Sequence, residues 1–200
     1  MKFSFLLCCL LSLSSLASEK FNDYSTISAF TENDSVRMVV EISAGTNRKF
    51  EYDKLRNEFL IEKNDGVERV VKFLPYPGNY GFIPSTFMAE DRGGDGDALD
   101  VLLISESLGT GTVAEIVPIG VLMLRDSGEI DTKIIAVPLD QTLRIIDVMS
   151  FDDLKENYAP VMEIIELWFS NYKGEDLIGP LGWKDEVAAK EEIYRWLLDL

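Results

Sequence analysis

Seven short apolar stretches separated by turn-forming residues fill the chain between positions 36 and 137, and they restrict its fold more than any other feature. They run Val36–Ile42, Lys49–Tyr52, Glu58–Glu62, Val67–Phe73, Leu99–Ser105, Val113–Leu124 and Ile130–Val137. Asn64-Asp65-Gly66, Gly93-Gly94, Gly109-Thr110-Gly111 and Ser127-Gly128 punctuate them. Strands this short are unstable singly, and seven at this spacing predict a small closed β-barrel. After Phe151 the apolar period changes. Val161, Ile164, Ile165, Trp168 and Tyr172 form one helical stripe that Pro160 can begin, and a last helix carries Ala189, Ile193, Trp196 and Leu197 on one face. Strands first and helices afterwards predict an α+β domain with the C-terminal helices packed outside the barrel.

Composition then removes whole classes of function. The chain has 200 residues, 46% of them hydrophobic, which is enough for one core and too apolar for disorder. It contains no histidine, and its only cysteines are Cys8 and Cys9. Zinc sites built on His and Cys, and Ser-His or Cys-His catalysis, are therefore out of reach. Chemistry must run on carboxylates, Lys, Arg and Tyr. A net charge of -16 has the wrong sign for binding nucleic acid or an anionic membrane.

The first residues have the pattern of an export leader. Lys2 supplies a positive start, Phe3 to Leu16 is apolar, and Ser15-Leu16-Ala17 offers small residues where a signal peptidase reads. Cleavage after Ala17 leaves residues 18–200 as a single domain without cysteine or membrane anchor. That predicts a periplasmic or secreted protein indifferent to redox state. Leu7 before Cys8 argues against lipidation.

The segment Asp91 to Asp100, DRGGDGDALD, holds four aspartates in ten residues. Two carboxylates at ~5 Å and an effective dielectric of about 20 repel by on the order of 3 kcal/mol. Val101-Leu102-Leu103-Ile104 follows at once and anchors the run to the core, so the acids cannot all splay into water. A multivalent cation relieves the crowding, and an oxygen-only donor set selects Mg²⁺, Mn²⁺ or Ca²⁺. An EF-hand beginning at Asp95 fails, because Leu99 and Asp100 fall where a ligand and a glycine are needed.

Two further pairs point the same way. Ser127-Gly128 reads as a hairpin turn that brings Asp126 near Asp131, and Asp131 and Lys133, two apart on a strand, share a face. Lys49 and Glu51 do the same. A lysine beside each carboxylate suits a metal site that also takes phosphate.

At this point the residues resemble soluble inorganic pyrophosphatases of the barrel type. The family's Asp-x-Asp-Pro-x-Asp run is matched by Asp95-Gly96-Asp97-Ala98-Leu99-Asp100, with Ala98 in place of proline. Similarity extends from Val39-Val40-Glu41-Ile42 through Tyr76-Pro77-Gly78-Asn79-Tyr80-Gly81 and Ile119-Gly120-Val121-Leu122 to Asn171-Tyr172-Lys173. The resemblance implies an OB-like barrel and Mg²⁺-dependent hydrolysis of pyrophosphate, with Mn²⁺ also admissible. It implies that Asp95, Asp100 and Asp131 hold the first metal, that Asp126 and Glu51 serve further ones, and that Asp97 deprotonates the attacking water. Glu41 orients the water network, Tyr76 stands behind the site, and Lys49, Arg69, Tyr80, Lys133, Tyr172 and Lys173 clamp the substrate. An apparent insertion at Asn64 to Glu68 leaves Lys63 as the alternative to Arg69. Bacterial members of the family suggest a homo-oligomer, a hexamer. Two other functions stand beside this one: an exported Ca²⁺-binding protein without catalysis, which gives the basic residues no task, and a metal-dependent hydrolase of other phosphoanhydrides.

Overall fold

A computed structural model describes residues 23–174 and 178–198. The predicted leader, residues 1–17, lies outside them. The described elements are β1 (Val36–Ile42), β2 (Phe50–Asp53), β3 (Glu58–Ile61), β4 (Lys63–Asn64), β5 (Val67–Glu68), β6 (Asn79–Phe82), β7 (Asp100–Leu103), β8 (Val113–Asp126), β9 (Glu129–Ile130), β10 (Lys133–Pro138), α1 (Phe151–Asn157), α2 (Ala159–Asn171), β11 (Ile178–Lys184) and α3 (Glu186–Trp196).

Strands β1, β6, β7, β10 and β8 pair in that order, and β8 pairs back onto β1, so five strands close a ring. All its pairings are antiparallel except β7 with β10. This is an OB-like barrel, whose closure leaves the five strands no unpaired edge. Strand β8 can serve both β1 and β10 because it is long and bends. Ile135 faces Gly120 while Ala136 faces Pro118, so Ile119 is an extra residue that kinks the strand.

Alternation along the strands divides the apolar residues between the inside and the outside of the ring. Val101, Leu103, Ile134 and Ala136 join Met38, Val40, Ile116 and Val121 in the inner cluster, which Ala189, Ile193 and Trp196 of α3 complete. Leu102, Ile104, Ile135 and Val137 point outward and are covered by Leu154 of α1 and by Ile165, Trp168 and Phe169 of α2. Gly81 pairs with both Val40 and Val101 and so occupies an inner position on β6. A Cβ there would lie 1.9 Å from the Val39 carbonyl oxygen. Only glycine lets β1 and β6 approach this closely.

Ser150 and Asp185 cap α1 and α3 by accepting from the amides of Asp153 and Ala188, and Pro160 lies in the first turn of α2. The segment expected to be a strand from Val67 to Phe73 forms a strand only over Val67–Glu68, with a single further bridge from Val70 to Arg48, and Phe73 and Leu74 are exposed. Ile164, placed on the buried stripe, faces solvent, and Phe169 takes the buried position instead. The run Ile130–Val137 divides into β9 and β10 around Asp131 and Thr132.

Candidate active site

The parallel pairing of β7 with β10 sets Asp100 opposite Lys133, the first residues of both strands. They lie on the outward face with Leu102 and Ile135. Lys133 forms ion pairs with Asp100 and with Asp131, two residues before it. Burial alone would lower this ammonium's pKa, but the two carboxylates outweigh it and hold the group well above its usual range. Burial pushes the Asp100 carboxyl up; Lys133 opposes this and the neighbouring Asp131 adds to it, leaving it raised.

The acidic loop enters from the 3₁₀ turn at Glu90–Arg92. The amide of Asp97 donates to Asp95 Oδ1 (3.1 Å), and the amide of Ala98 donates to Asp97 Oδ1 (2.8 Å). A proline at position 98 could not make the second bond. Ligand atoms of Asp95, Asp100 and Asp131 all lie within 4.8 Å of one another. Burial, and then the charge of Asp100, push Asp95 up to about 6. Three carboxyls this close, with oxygen as the only donor, fit a hard divalent cation.

The facing wall comes from the β2–β3 hairpin, the end of α2 and β1. Glu41 is the extra residue of a bulge in β1, between Val40 opposite Gly81 and Ile42 opposite Tyr80, and its carboxylate accepts from the Tyr52 amide (2.8 Å). Burial raises its pKa well above the ordinary value, and the charges of Asp100, Asp97 and Glu51 add to that, outweighing the Tyr52 bond. Lys49 pairs with Glu51 (2.5 Å) and Glu62 (2.8 Å), and Glu62 also holds Arg69 (2.7 Å). Lys173, two residues past α2, pairs with Asp126 at the end of β8. Ser127 and Gly128, with φ of 51° and 101°, make the tight turn from β8 into β9.

These walls enclose a cavity of about 330 Å³ with eight carboxylates and three lysines in its lining. Lys49, Glu51, Tyr80, Asp95, Asp97, Asp100, Asp126, Asp131, Lys133, Tyr172, Lys173 and Glu41 all line it. Asp126 and Glu51 stand outside the converging trio, each on a lysine. Arg69 lines a neighbouring cleft that shares Tyr172 and Lys173 with the cavity, while Lys63 points to solvent. Tyr76 is buried behind the lining, its ring 4.6 Å from Trp168 and 5.3 Å from Tyr80, and burial pushes its phenol up. Sequence reasoning missed Tyr52, Phe82 and Glu129 in the lining, and Glu62 as the shared partner of Lys49 and Arg69. Glu62 had a signal: with Phe50 opposite Ile61, the next pair outward is Lys49 with Glu62.

Residues 38–199 match the family model described as inorganic pyrophosphatase. A protein named inorganic pyrophosphatase from Saccharolobus solfataricus is 36% identical over 165 residues, covering 80% of this chain and 88% of its own length. One of the same name from Neisseria meningitidis serogroup B is 36% identical over 169 residues, with the same coverage. The crystal structure of inorganic pyrophosphatase from Thermus thermophilus superposes with a TM-score of 0.72 at 30% identity, covering 86% of this chain and 95% of that one. That of Neisseria gonorrhoeae gives 0.73 at 31%, covering 87% and 96%.

Proposed function

Because the chain belongs to the inorganic pyrophosphatase family, we infer that the acidic cavity on the outer face of the ring is where it hydrolyses pyrophosphate to two phosphates. The observation that carries this is the convergence of Asp95, Asp100 and Asp131 within 4.8 Å, in a cavity that also presents Lys49, Lys133 and Lys173. A calcium buffer would need the acids but not the lysines.

Asp95, Asp100 and Asp131 would hold a divalent cation, Mg²⁺ with Mn²⁺ also accepted, and Asp126, Glu51 and Glu129 lie where further ions could be shared. Such ions lower the pKa of water and cancel substrate charge. The chain's own residues do the rest. Lys49, Arg69 and Lys173 bind the anion from the hairpin side, where their present carboxylate partners give way to phosphate oxygens. Lys133 stays beneath, ion-paired with both Asp100 and Asp131. Asp97, exposed where Asp95 and Asp100 are half-buried, accepts the proton of the attacking water at its carboxylate while the Ala98 amide holds Oδ1. Glu41, held on the cavity wall by the Tyr52 amide, orients water there. Tyr80 and Tyr172 complete the lining.

The test is phosphate release from pyrophosphate with Mg²⁺. The unsubstituted protein should release phosphate and Asp97→Asn should be slower by about 10² to 10⁴-fold. No release at all overturns the activity, and an unchanged rate in the variant overturns the role of Asp97. Release from nucleoside triphosphates but not pyrophosphate would favour the broader hydrolase. Residues 1–17 support export to the periplasm or beyond, which amino-terminal sequencing of the mature protein checks. Assembly into a homo-oligomer, a hexamer, is likewise proposed, and light scattering measures it. Among the described residues no helix is long and apolar enough to cross a membrane.

A further inference from the structure

The loop that carries Asp95 and Asp97 is tied to the end of the chain, far away in sequence. Thr86 bridges to Leu197, the Phe87 amide donates to the Trp196 carbonyl (2.8 Å), and the Leu198 amide donates to Ser85 (2.9 Å). Arg92, three residues before Asp95, reaches the same place. Its Nη2 donates to the Arg195 carbonyl (2.7 Å), and its guanidinium lies 4.5 Å above the Trp196 ring. Arg195 covers that ring as well, at 4.7 Å, and the indole nitrogen donates to Glu192 (3.0 Å).

From these anchors the loop is closed on itself and then onto the other metal-binding strand. The Met88 amide donates to the Asp97 carbonyl (2.7 Å), the Gly96 amide to Met88 (2.8 Å) and the Gly94 amide to Ala89 (3.0 Å). The Ile130 amide, beside Asp131, donates to the Gly93 carbonyl (3.0 Å). Arg92 therefore sits between a fixed helix end and the turn whose carbonyl holds β9. A shift of this turn moves Asp95 relative to Asp100 and Asp131.

We infer that Arg92 is a positioning residue: by docking on the Arg195 carbonyl and the Trp196 ring, it sets the Asp95 carboxylate at the spacing a divalent cation needs. The inference rests on the reading of the cavity as a metal site. Its sign separates it from simple electrostatics. Removing a positive charge three residues from the carboxylates should, by charge alone, tighten cation binding. Loss of positioning should weaken it.

The experiment is calorimetric titration of Mg²⁺ into the metal-free protein without pyrophosphate, with the Mg²⁺ dependence of turnover alongside. Arg92→Met keeps an aliphatic stem over Trp196 and removes the donor and the charge. It should bind Mg²⁺ about tenfold more weakly, the lower end of what losing a residue that orients a ligand costs, while kcat at saturating Mg²⁺ stays within about twofold. Arg92→Lys, which can still donate to the carbonyl, should recover most of the affinity. Arg195→Ala removes an equal charge from the same ring but leaves its carbonyl in place, and should bind Mg²⁺ as the unsubstituted protein does. Unchanged or tighter binding in Arg92→Met overturns the inference, as does equal weakening in Arg195→Ala. If the unsubstituted protein binds no Mg²⁺ the metal-site reading itself falls, a result visible before any variant is made.

Discussion

The two walls of the cavity are built differently. On the ring wall Asp100 and Lys133 begin adjacent strands, so backbone register sets their separation, and the Lys133 side chain is only 3% exposed. The hairpin wall rests on β2 and β3, which form a sheet of their own. There the Lys49 side chain is 20% exposed and that of its partner Glu51 45%. Similar ion pairs thus sit in different media. On the ring wall charge is shielded from water and must be balanced by neighbours, whereas on the hairpin wall water is always a competing partner. The first wall should govern stability and cation binding, and the second the affinity for the anion.

Removing Lys133 tests the first half most severely. Lys133→Ala leaves the buried Asp131 and the half-buried Asp100 with no cation between them, and breaking such a pair from one side costs about 3–5 kcal/mol. Urea unfolding in the presence of a chelator should show a loss of that size. Mg²⁺ should restore part of it, since a ligand at 100 times its dissociation constant stabilises by about 2.7 kcal/mol. A loss under about 1 kcal/mol would mean that the ring wall is as wet as the hairpin wall.

The contrast between the walls was only half legible in the sequence. The Asp loop could be read because four acids abut Val101-Leu102-Leu103-Ile104, and crowding plus anchoring is a local signal. The pairing of Asp131 with Lys133 follows from strand period. Beyond local patterns the signal fades. Asn79–Phe82, with a glycine at its inner position, does not look like a ring strand, and Ile178–Lys184 is broken by Gly179, Pro180 and Gly182. Val67 to Phe73 looks like one strand, but its ladder ends at Glu68 and only Val70 bridges further, to Arg48. The bulge that turns Glu41 into the cavity, and the sharing of Glu62 between Lys49 and Arg69, are consequences of pairing register that composition does not reveal.

Asp95 gives a pH test of the same wall. Its carboxyl has a pKa of about 6 in the folded protein against 3.8 ordinarily, so the folded state holds a proton that the unfolded chain has already released. The stabilisation is complete below pH 3.8 and is lost as pH rises through about 6. A shift of this size would correspond to about 3 kcal/mol in full; Asp95 is partly solvated, so about 1–2 kcal/mol is expected. Asp126, held low because Lys173 outweighs its burial, moves the other way. The measurement is therefore a difference: metal-free unfolding of the unsubstituted protein and of Asp95→Asn between pH 4 and 6.5. The variant should show a shallower decline, what remains coming from Glu41 and Asp100, whose carboxyls are also raised. Added Mg²⁺ should reverse it, because the cation takes the deprotonated form.

The smallest stability change is expected at Lys49, where the two walls should part most clearly. When Lys49→Ala removes the ammonium, Glu62 keeps Arg69 at 2.7 Å and Glu51 turns to water, so neither carboxylate is stranded. The loss of stability should stay below about 1 kcal/mol, as for other partly exposed pairs. Binding is another matter. Lys49 is one of three lysines lining the cavity, and a charge-assisted bond to a phosphate oxygen contributes about 1.5–3 kcal/mol. KM for pyrophosphate should therefore rise about tenfold or more, with kcat falling less. A variant that unfolds as easily as Lys133→Ala, or that keeps its KM, would show that the hairpin belongs to the rigid frame and that the division between the walls does not hold.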